Sequence, residues 1–210
     1  MSSSSLVRWG GLAAVASAVL AIASFVLYLV VVGGARISEA ATSAAFFLPS
    51  GAQLLAMVLL AVALVALFAQ QAQAFGTLGL AGFVLALFGT TLAAGALWSQ
   101  VFVVPRLAQA APEVADRGAG SVLAGYMISF LLFGVGWSVF GVATLRTRML
   151  PRWAVILLIA GAVLSILPLP SRALVVEVAA ACLGFALLKE GNVRATGSRA
   201  ASSGDLGPGA

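Results

Sequence analysis

The sequence predicts an all-α fold, a polytopic bundle of six transmembrane helices with both termini in the cytoplasm. Of the 210 residues, 62% are hydrophobic and only 8% are charged, whereas about 25% are charged in a typical soluble domain. The chain also contains long windows without any Asp, Glu, Lys or Arg, at 9–35, 40–105, 118–145 and 153–171. A spanning helix needs about 20 predominantly apolar residues. Each window can hold at least one such helix, and the second can hold two.

The first predicted helix covers 9–33, beginning at Trp9 after the basic residue Arg8. A short basic start and the small residues "ASA" also occur in cleavable signal peptides. The apolar part of a signal peptide is about 7–15 residues long, and the apolar run here is clearly longer. We therefore predict a retained first helix, with cleavage as the alternative.

The other helices are delimited by polar and turn-forming residues. Pro49 and Ser50 mark the start of the second helix, because proline is favoured in a first helical turn. A polar segment with Pro105 and Pro112 follows the third helix, and part of it is predicted as a short interfacial helix. The turn "PLPS" separates the last two helices. The predicted ranges are 51–69, 75–98, 121–145, 153–167 and 172–188.

Residues 1–188 are thus predicted to form one transmembrane domain, and residues 189–210 a disordered cytoplasmic tail. The tail is rich in Gly, Ser and Ala and lacks aromatic residues. With six helices, both termini lie on one side. That side carries seven of the 11 basic residues, namely Arg8, Arg146, Arg148, Arg152, Lys189, Arg194 and Arg199, and the opposite side carries Arg36, Arg106, Arg117 and Arg172. Because basic residues accumulate in cytoplasmic loops, the termini are predicted to be cytoplasmic.

Glu177 is the acidic residue that lies inside a predicted span. Two interpretations compete for it. Ionisable groups within a membrane are costly and often functional, which suggests a proton or cation site. Alternatively, the helix begins in the lipid headgroup region, where the positive end of the helix dipole favours a carboxylate. Gln53 and Gln100 also fall towards the same ends of their helices, so these three residues could line one outward-facing cavity.

Other polar and small residues within the spans favour helix packing. Thr90, Thr91, Ser129 and Ser138 are predicted to make hydrogen bonds between helices, with the lining of a solute path as the alternative. Glycines recur on the third and fourth helices, at Gly76, Gly79, Gly82, Gly134, Gly136 and Gly141. Such residues allow two helices to approach closely. A broken helix of the kind found in transporters is the alternative.

Several classes of function lack their usual chemical groups. The chain has no histidine and a single cysteine, Cys182. It therefore lacks the commonest general base and metal ligand, and it has no CxxC motif. No phosphate-binding glycine loop occurs. Basic residues do not form a dense patch that would suggest nucleic-acid binding. We predict no cofactor, no metal, no nucleic-acid partner and no enzymatic activity.

Two segments carry a resemblance to a known group of proteins. They are "RMLPRWAVILLIAGAVLSILPLP", residues 148–170, and "GALWSQVFVVP", residues 95–105. Together they resemble uncharacterised multi-pass membrane proteins of high-GC bacteria, a family of unknown function. The resemblance covers helices two to six, and its most specific element is Leu150-Pro151-Arg152-Trp153. It implies a bacterial inner-membrane location and transfers no functional residue.

Three functions compete at this stage. The first is a structural or accessory protein that acts as a homo-oligomer or as a subunit of a membrane assembly, and the shortage of polar groups in the spans favours it. The second is a transporter or channel for a small or lipid-like solute, with Gln53, Gln100 or Glu177 lining its cavity. The third is a membrane enzyme, which would need two ionisable groups in one pocket. The lipid bilayer is the partner that all three share.

Overall fold

The computed structural model describes residues 3–117, 120–167, 172–186 and 188–189. Within these residues, 88% are helical and no strand occurs. The helices, with a 3-10 turn at Ala44–Phe46, are α1 Ser3–Val32, α2 Ile37–Ala40, α3 Phe47–Gln71, α4 Gly76–Phe102, α5 Val104–Ala110, α6 Pro112–Arg117, α7 Gly120–Thr147, α8 Arg152–Leu164 and α9 Leu174–Ala186. The all-helical prediction is confirmed. The predicted turn at 168–171 and all of the predicted tail except Lys189 lie outside the described residues.

Four of the helices, α1, α3, α4 and α7, are long and apolar enough to cross a membrane. Their outward faces are apolar as well. On α1, for example, Val19, Val26 and Val30 are all more than half exposed. The helices α8 and α9 are shorter, and the 13 residues of α8 extend for about 20 Å, whereas the hydrocarbon core is about 30 Å thick. Length and composition therefore mark four helices as candidate spans.

Helix boundaries differ from the predicted ones where local capping was not evident. α3 begins at Phe47, before Pro49, because the preceding 3-10 turn starts at Ser43, whose Oγ accepts a hydrogen bond from Ala45 N at 3.2 Å. Pro49 then lies in the first turn, where its missing N–H has no intrahelical acceptor. α1 ends at Val32 because Gly33 and Gly34 adopt positive φ angles of 47° and 94°, which glycine accepts without steric cost.

Six of the helices follow one another around the bundle, each in contact with the next, in the order α1, α3, α4, α7, α8, α9 and back to α1. Contacts join the first five of these in sequence. The circle closes where Gly161 of α8 meets Val175 of α9 and where Gly184 of α9 meets Gly11 of α1. The last helix is therefore an integral part of the bundle, wedged between its first and its penultimate members.

Glycines bring α4 and α7 into backbone contact. Gly82 lies against Phe140, Gly89 against Phe133, and Gly136 against Ala86. A Cβ atom added to Gly89 or Gly136 would lie 2.4 Å from the backbone nitrogen of Phe133 or Ala86. The residue numbers rise on one helix as they fall on the other, so the two helices are antiparallel. Close packing through small residues was predicted, and Gly82 and Gly136 provide it here. Of the other predicted glycines of α4, Gly76 has open space at its Cβ position and the atoms nearest Gly79 belong to Phe75.

Aromatic side chains of α7 fill the centre of the bundle. Phe130, Phe133, Trp137 and Phe140 are almost completely buried and contact one another in succession. The indole Nε1 of Trp137 donates a hydrogen bond to Thr90 Oγ1 at 2.9 Å. This bond satisfies the one polar atom of a buried tryptophan, which would otherwise be costly. The middle of the bundle is thus a packed aromatic core.

The short helices α2, α5 and α6 contact one another and form a cap over the end of the bundle where α1 and α4 finish. We call this the cap end. Asp116 joins the two cap segments, since its carboxylate accepts bonds from Ser38 N at 2.8 Å and Ser38 Oγ at 2.9 Å. Ser38 N belongs to the first turn of α2 and has no intrahelical acceptor, so Asp116 caps that helix from a distant segment. One short helix was predicted in the polar segment that follows the third predicted helix. Two helices, α5 and α6, occupy this segment. The helix α2 was not predicted.

Candidate functional site

The structure brings together two of the three predicted site residues, Gln53 on α3 and Glu177 on α9. Gln53 Nε2 donates hydrogen bonds to Glu177 Oε1 at 3.1 Å and to Glu177 Oε2 at 3.3 Å. The two residues are 124 positions apart in the chain. An amide that donates to both oxygens of a carboxylate makes a charge-assisted bond, which is stronger than a bond between two neutral groups.

The position of Glu177 within α9 explains why its side chain points inward. Ala173, just before α9, and Val176, Ala180 and Leu183 within it are buried, and they recur at the helical spacing of three and four. Glu177 lies on the same stripe and is 0% exposed. Its N–H donates to Ala173 O at 3.0 Å, so it already belongs to the regular helix. The protein encloses this carboxylate, unlike a charge in the headgroup region.

The structure gives Glu177 no cationic partner among the described residues. The nearest arginine along the chain, Arg172, points elsewhere. Its guanidinium carbon lies 4.3 Å from the ring centroid of Phe130 and 4.9 Å from that of Tyr126, both on α7. These are distances typical of cation–π contacts. One guanidinium nitrogen, Nη1, is buried without a hydrogen-bond partner.

Two oxygen atoms of α3, one of them on Gln53 and the other one helical turn earlier, are buried without a hydrogen-bond partner. They are Gln53 Oε1, on the same amide group, and Ser50 Oγ on α3. Ser50 precedes Gln53 by three positions, which places the two side chains on one face of the helix, with Cβ atoms about 5–6 Å apart. Leaving a buried polar atom unpaired costs about 1–3 kcal/mol. The site therefore combines a buried carboxylate with oxygen atoms that have lone pairs to offer.

The chemistry available to such a site follows from its charge. An isolated ionised carboxylate in a medium of low dielectric constant is costly. A neutral amide reduces that cost and does not cancel the charge. Either a proton or a bound cation must neutralise Glu177 for the site to be stable. This is the chemistry of sites that bind protons, cations or polar solutes within a membrane.

Gln100, the third predicted residue, does not join the pair. It is half-buried near the end of α4, and no hydrogen bond to it is found in the described part of the chain. The hydroxyl groups of Thr90, Thr91, Ser129 and Ser138 donate to carbonyl oxygens of their own helices, four residues earlier. Of these four residues, Thr90 alone takes part in a bond between helices, as the acceptor from Trp137. The prediction of interhelical hydrogen bonds was wrong for Thr91, Ser129 and Ser138.

Other polar contacts also join helices, and these were not predicted from the sequence. Ser17 Oγ donates to Ala56 O and Ser24 Oγ to Pro49 O, each at 2.8 Å. The spacing of these two serines by seven residues places them on one face of α1 and was the signal available. At the end opposite the cap, Thr147 Oγ1 donates to the buried Gln71 Oε1 at 2.8 Å. Gln71 also donates from Nε2 to Leu67 O at 3.1 Å.

Among the described residues, no three His, Cys, Asp or Glu side chains come together as a metal site would require. Cys182 is a free, half-buried thiol. Comparison with known proteins found no matching family model, no similar curated protein and no similar solved structure. The resemblance to bacterial membrane proteins of unknown function thus stays a prediction. The geometry of the Gln53–Glu177 pair is therefore the basis for inferring a function.

Proposed function

We propose that the protein is a six-span protein of the bacterial inner membrane with both termini in the cytoplasm. The circular order of the helices supports this topology, because α8 and α9 complete the bundle between α7 and α1. α9 also runs antiparallel to α1: Gly11 meets Leu188 and Gly184, and Gly184 meets Ala14. The excess of basic residues on the side of the termini supports the orientation.

Within that topology, we propose that the protein binds a small solute at the Gln53–Glu177 pair and acts as a transporter or channel. The observation that carries this proposal is a carboxylate that is 0% exposed and has an amide from another helix as its hydrogen-bond partner. A charge enclosed in this way is costly. Leucine at position 177 would serve packing alone at no such cost. A carboxylate at this place is therefore expected to have a binding role.

A structural or accessory role is the second candidate. The backbone contact between α4 and α7 and the aromatic core favour it, because they close the middle of the bundle. In this hypothesis the Gln53–Glu177 bond serves to hold α9 against α3, and the apolar outer faces of the helices contact a partner protein or a second copy. The two hypotheses differ in whether a small molecule depends on Glu177.

Native mass spectrometry of the protein, extracted gently from its own membranes, tests the proposal. We expect a bound small mass on the wild-type protein and its loss in Glu177→Gln. The matched control is Glu39→Gln, which makes the same change at an exposed acid on the cap and should retain the mass. A fixed oligomer or a stoichiometric protein partner, present equally in all three proteins and without any small mass, would support the accessory role and contradict solute binding.

A further inference from the structure

We infer that the Gln53–Glu177 site takes a monovalent cation, either an alkali ion or a protonated amine. This inference rests on the proposed function, because it names the class of ligand for the same site. The chemistry shared by both kinds of ligand is a single positive charge satisfied by oxygen atoms. Some polar atoms at the site have a hydrogen-bond partner and others have none, and the chemistry of the unpartnered atoms indicates the ligand.

The atoms left over at the site are oxygen acceptors. Gln53 Nε2, the donor nitrogen of the amide, is used by the carboxylate. Gln53 Oε1 and Ser50 Oγ are buried without partners, and Ser50 is only 4% exposed. The carboxylate oxygens also retain unused lone pairs, since each can accept more than one bond. With Glu177 ionised, the site is negative and rich in acceptors, and what it lacks is a positive donor or a metal cation.

The protein's own cations do not fill this role. Arg172 does not pair with Glu177, because its guanidinium lies over the rings of Phe130 and Tyr126. No ion pair to Glu177 occurs in the described residues. The positive charge that could neutralise this carboxylate must therefore come from outside the chain.

The charge of the site selects a monovalent ligand. Calcium sites provide about six to eight oxygen ligands, several of them from carboxylates. Here one carboxylate is present, and the described residues contain no group of three acidic or metal-binding side chains. One carboxylate balances one positive charge. The neutral oxygens of Gln53 and Ser50 would complete the shell of an alkali ion or accept N–H bonds from an ammonium group.

Thermal unfolding of the full-length protein in detergent micelles tests the inference, with sodium, potassium or methylammonium chloride titrated against choline chloride at constant ionic strength. Choline is a bulky cation without N–H donors and serves as the reference salt. We expect a saturable rise of a few degrees in Tm with at least one of the three cations. Sodium or potassium alone would indicate an alkali-ion site, and methylammonium alone an amine site.

Two variants locate the effect. Glu177→Gln should abolish the cation-dependent rise. Ser50→Ala should weaken the apparent affinity about three- to tenfold, as expected for one lost hydrogen bond. Thr147→Ala removes an interhelical bond at the end of the bundle opposite the cap and should leave the apparent affinity unchanged.

The inference is overturned if none of the three cations stabilises the wild-type protein more than choline does, or if Glu177→Gln responds like the wild type. Its failure is distinguishable from failure of the proposed function. A small mass that native mass spectrometry shows to depend on Glu177, together with no cation effect, would mean a neutral or anionic solute and leave the proposed function standing. Absence of both the Glu177-dependent small mass and the cation effect would contradict the inference and the proposed function together.

Discussion

At the scale of single residues, the Gln53–Glu177 bond joins α3 to α9 and is the contact with the largest electrostatic consequence. Removing one partner leaves the other buried and unsatisfied, whereas replacing both by apolar groups removes the need for the bond. The same argument applies to Trp137 and Thr90, whose bond is buried between α4 and α7. The stability of these pairs is therefore a property of the pair and not of either residue.

We predict that Gln53→Leu lowers the free energy of unfolding by about 1–3 kcal/mol, because Glu177 loses its donor. The double variant Gln53→Leu/Glu177→Leu should recover most of that loss. Unfolding in mixed micelles with increasing SDS measures both changes, and Gln100→Leu is the control. The side chain of Gln100 makes no hydrogen bond in the described part of the chain. The Gln100→Leu variant should therefore change the free energy of unfolding by less than about 0.5 kcal/mol. A double variant that is no more stable than Gln53→Leu would show that the two residues are not coupled.

At the scale of secondary-structure elements, glycines determine how closely α4 and α7 approach. A side chain at Gly136 would meet the backbone of Leu85 and Ala86, which cannot rotate away as a flexible side chain can. Gly95, which lies on α4, has open space where its Cβ would lie. The chain thus offers two helical glycines with opposite surroundings in one helix pair.

We predict that Gly136→Ala destabilises the protein by about 1–3 kcal/mol, because an overpacked interface must move apart. Gly95→Ala should be neutral or stabilise by up to about 1 kcal/mol, since alanine favours a helix more than glycine does. Unfolding in mixed micelles, as above, compares the two. Equal effects of the two substitutions would mean that the glycines act through helix propensity and not through close packing.

At the scale of the whole molecule, the proposed topology rests on the circular order of six helices. α8 and α9 are each too short to mark themselves as spans by length. They lie within a bundle whose other members are candidate spans, with α8 against α7 and α9 against α1. The cap of α2, α5 and α6 closes one end, where Asp116 ties its two segments together through Ser38.

We predict that a reporter fused after Ala210 is active in the cytoplasm and inactive in the periplasm. A reporter inserted after Gly34, between α1 and the cap, should show the opposite behaviour. Paired phosphatase and fluorescent-protein fusions measure both positions. Periplasmic activity of the fusion after Ala210 would contradict the proposed topology, because six spans place both termini on the cytoplasmic side.

The sequence by itself determined the class of fold and indicated its solvent. A chain with 8% charged residues and long charge-free windows has the composition of apolar helices in lipid, and this signal does not depend on how the helices are arranged. The glycine pattern also indicated close packing. Helix ends were less predictable, because α3 continues from a 3-10 turn capped by Ser43 and so begins before the proline that marked its expected start.

Tertiary structure alone decided which polar residues meet. Gln53 and Glu177 are separated by 124 positions, and a helical pattern specifies which face of each helix is buried but not which helix it faces. The inward position of Glu177 follows from the placement of α9 between α1 and α8, where its buried stripe is enclosed on both sides. The cap arose in the same way, since Ser38 of α2 and Asp116 of α6 belong to distant segments that only the assembled bundle brings together.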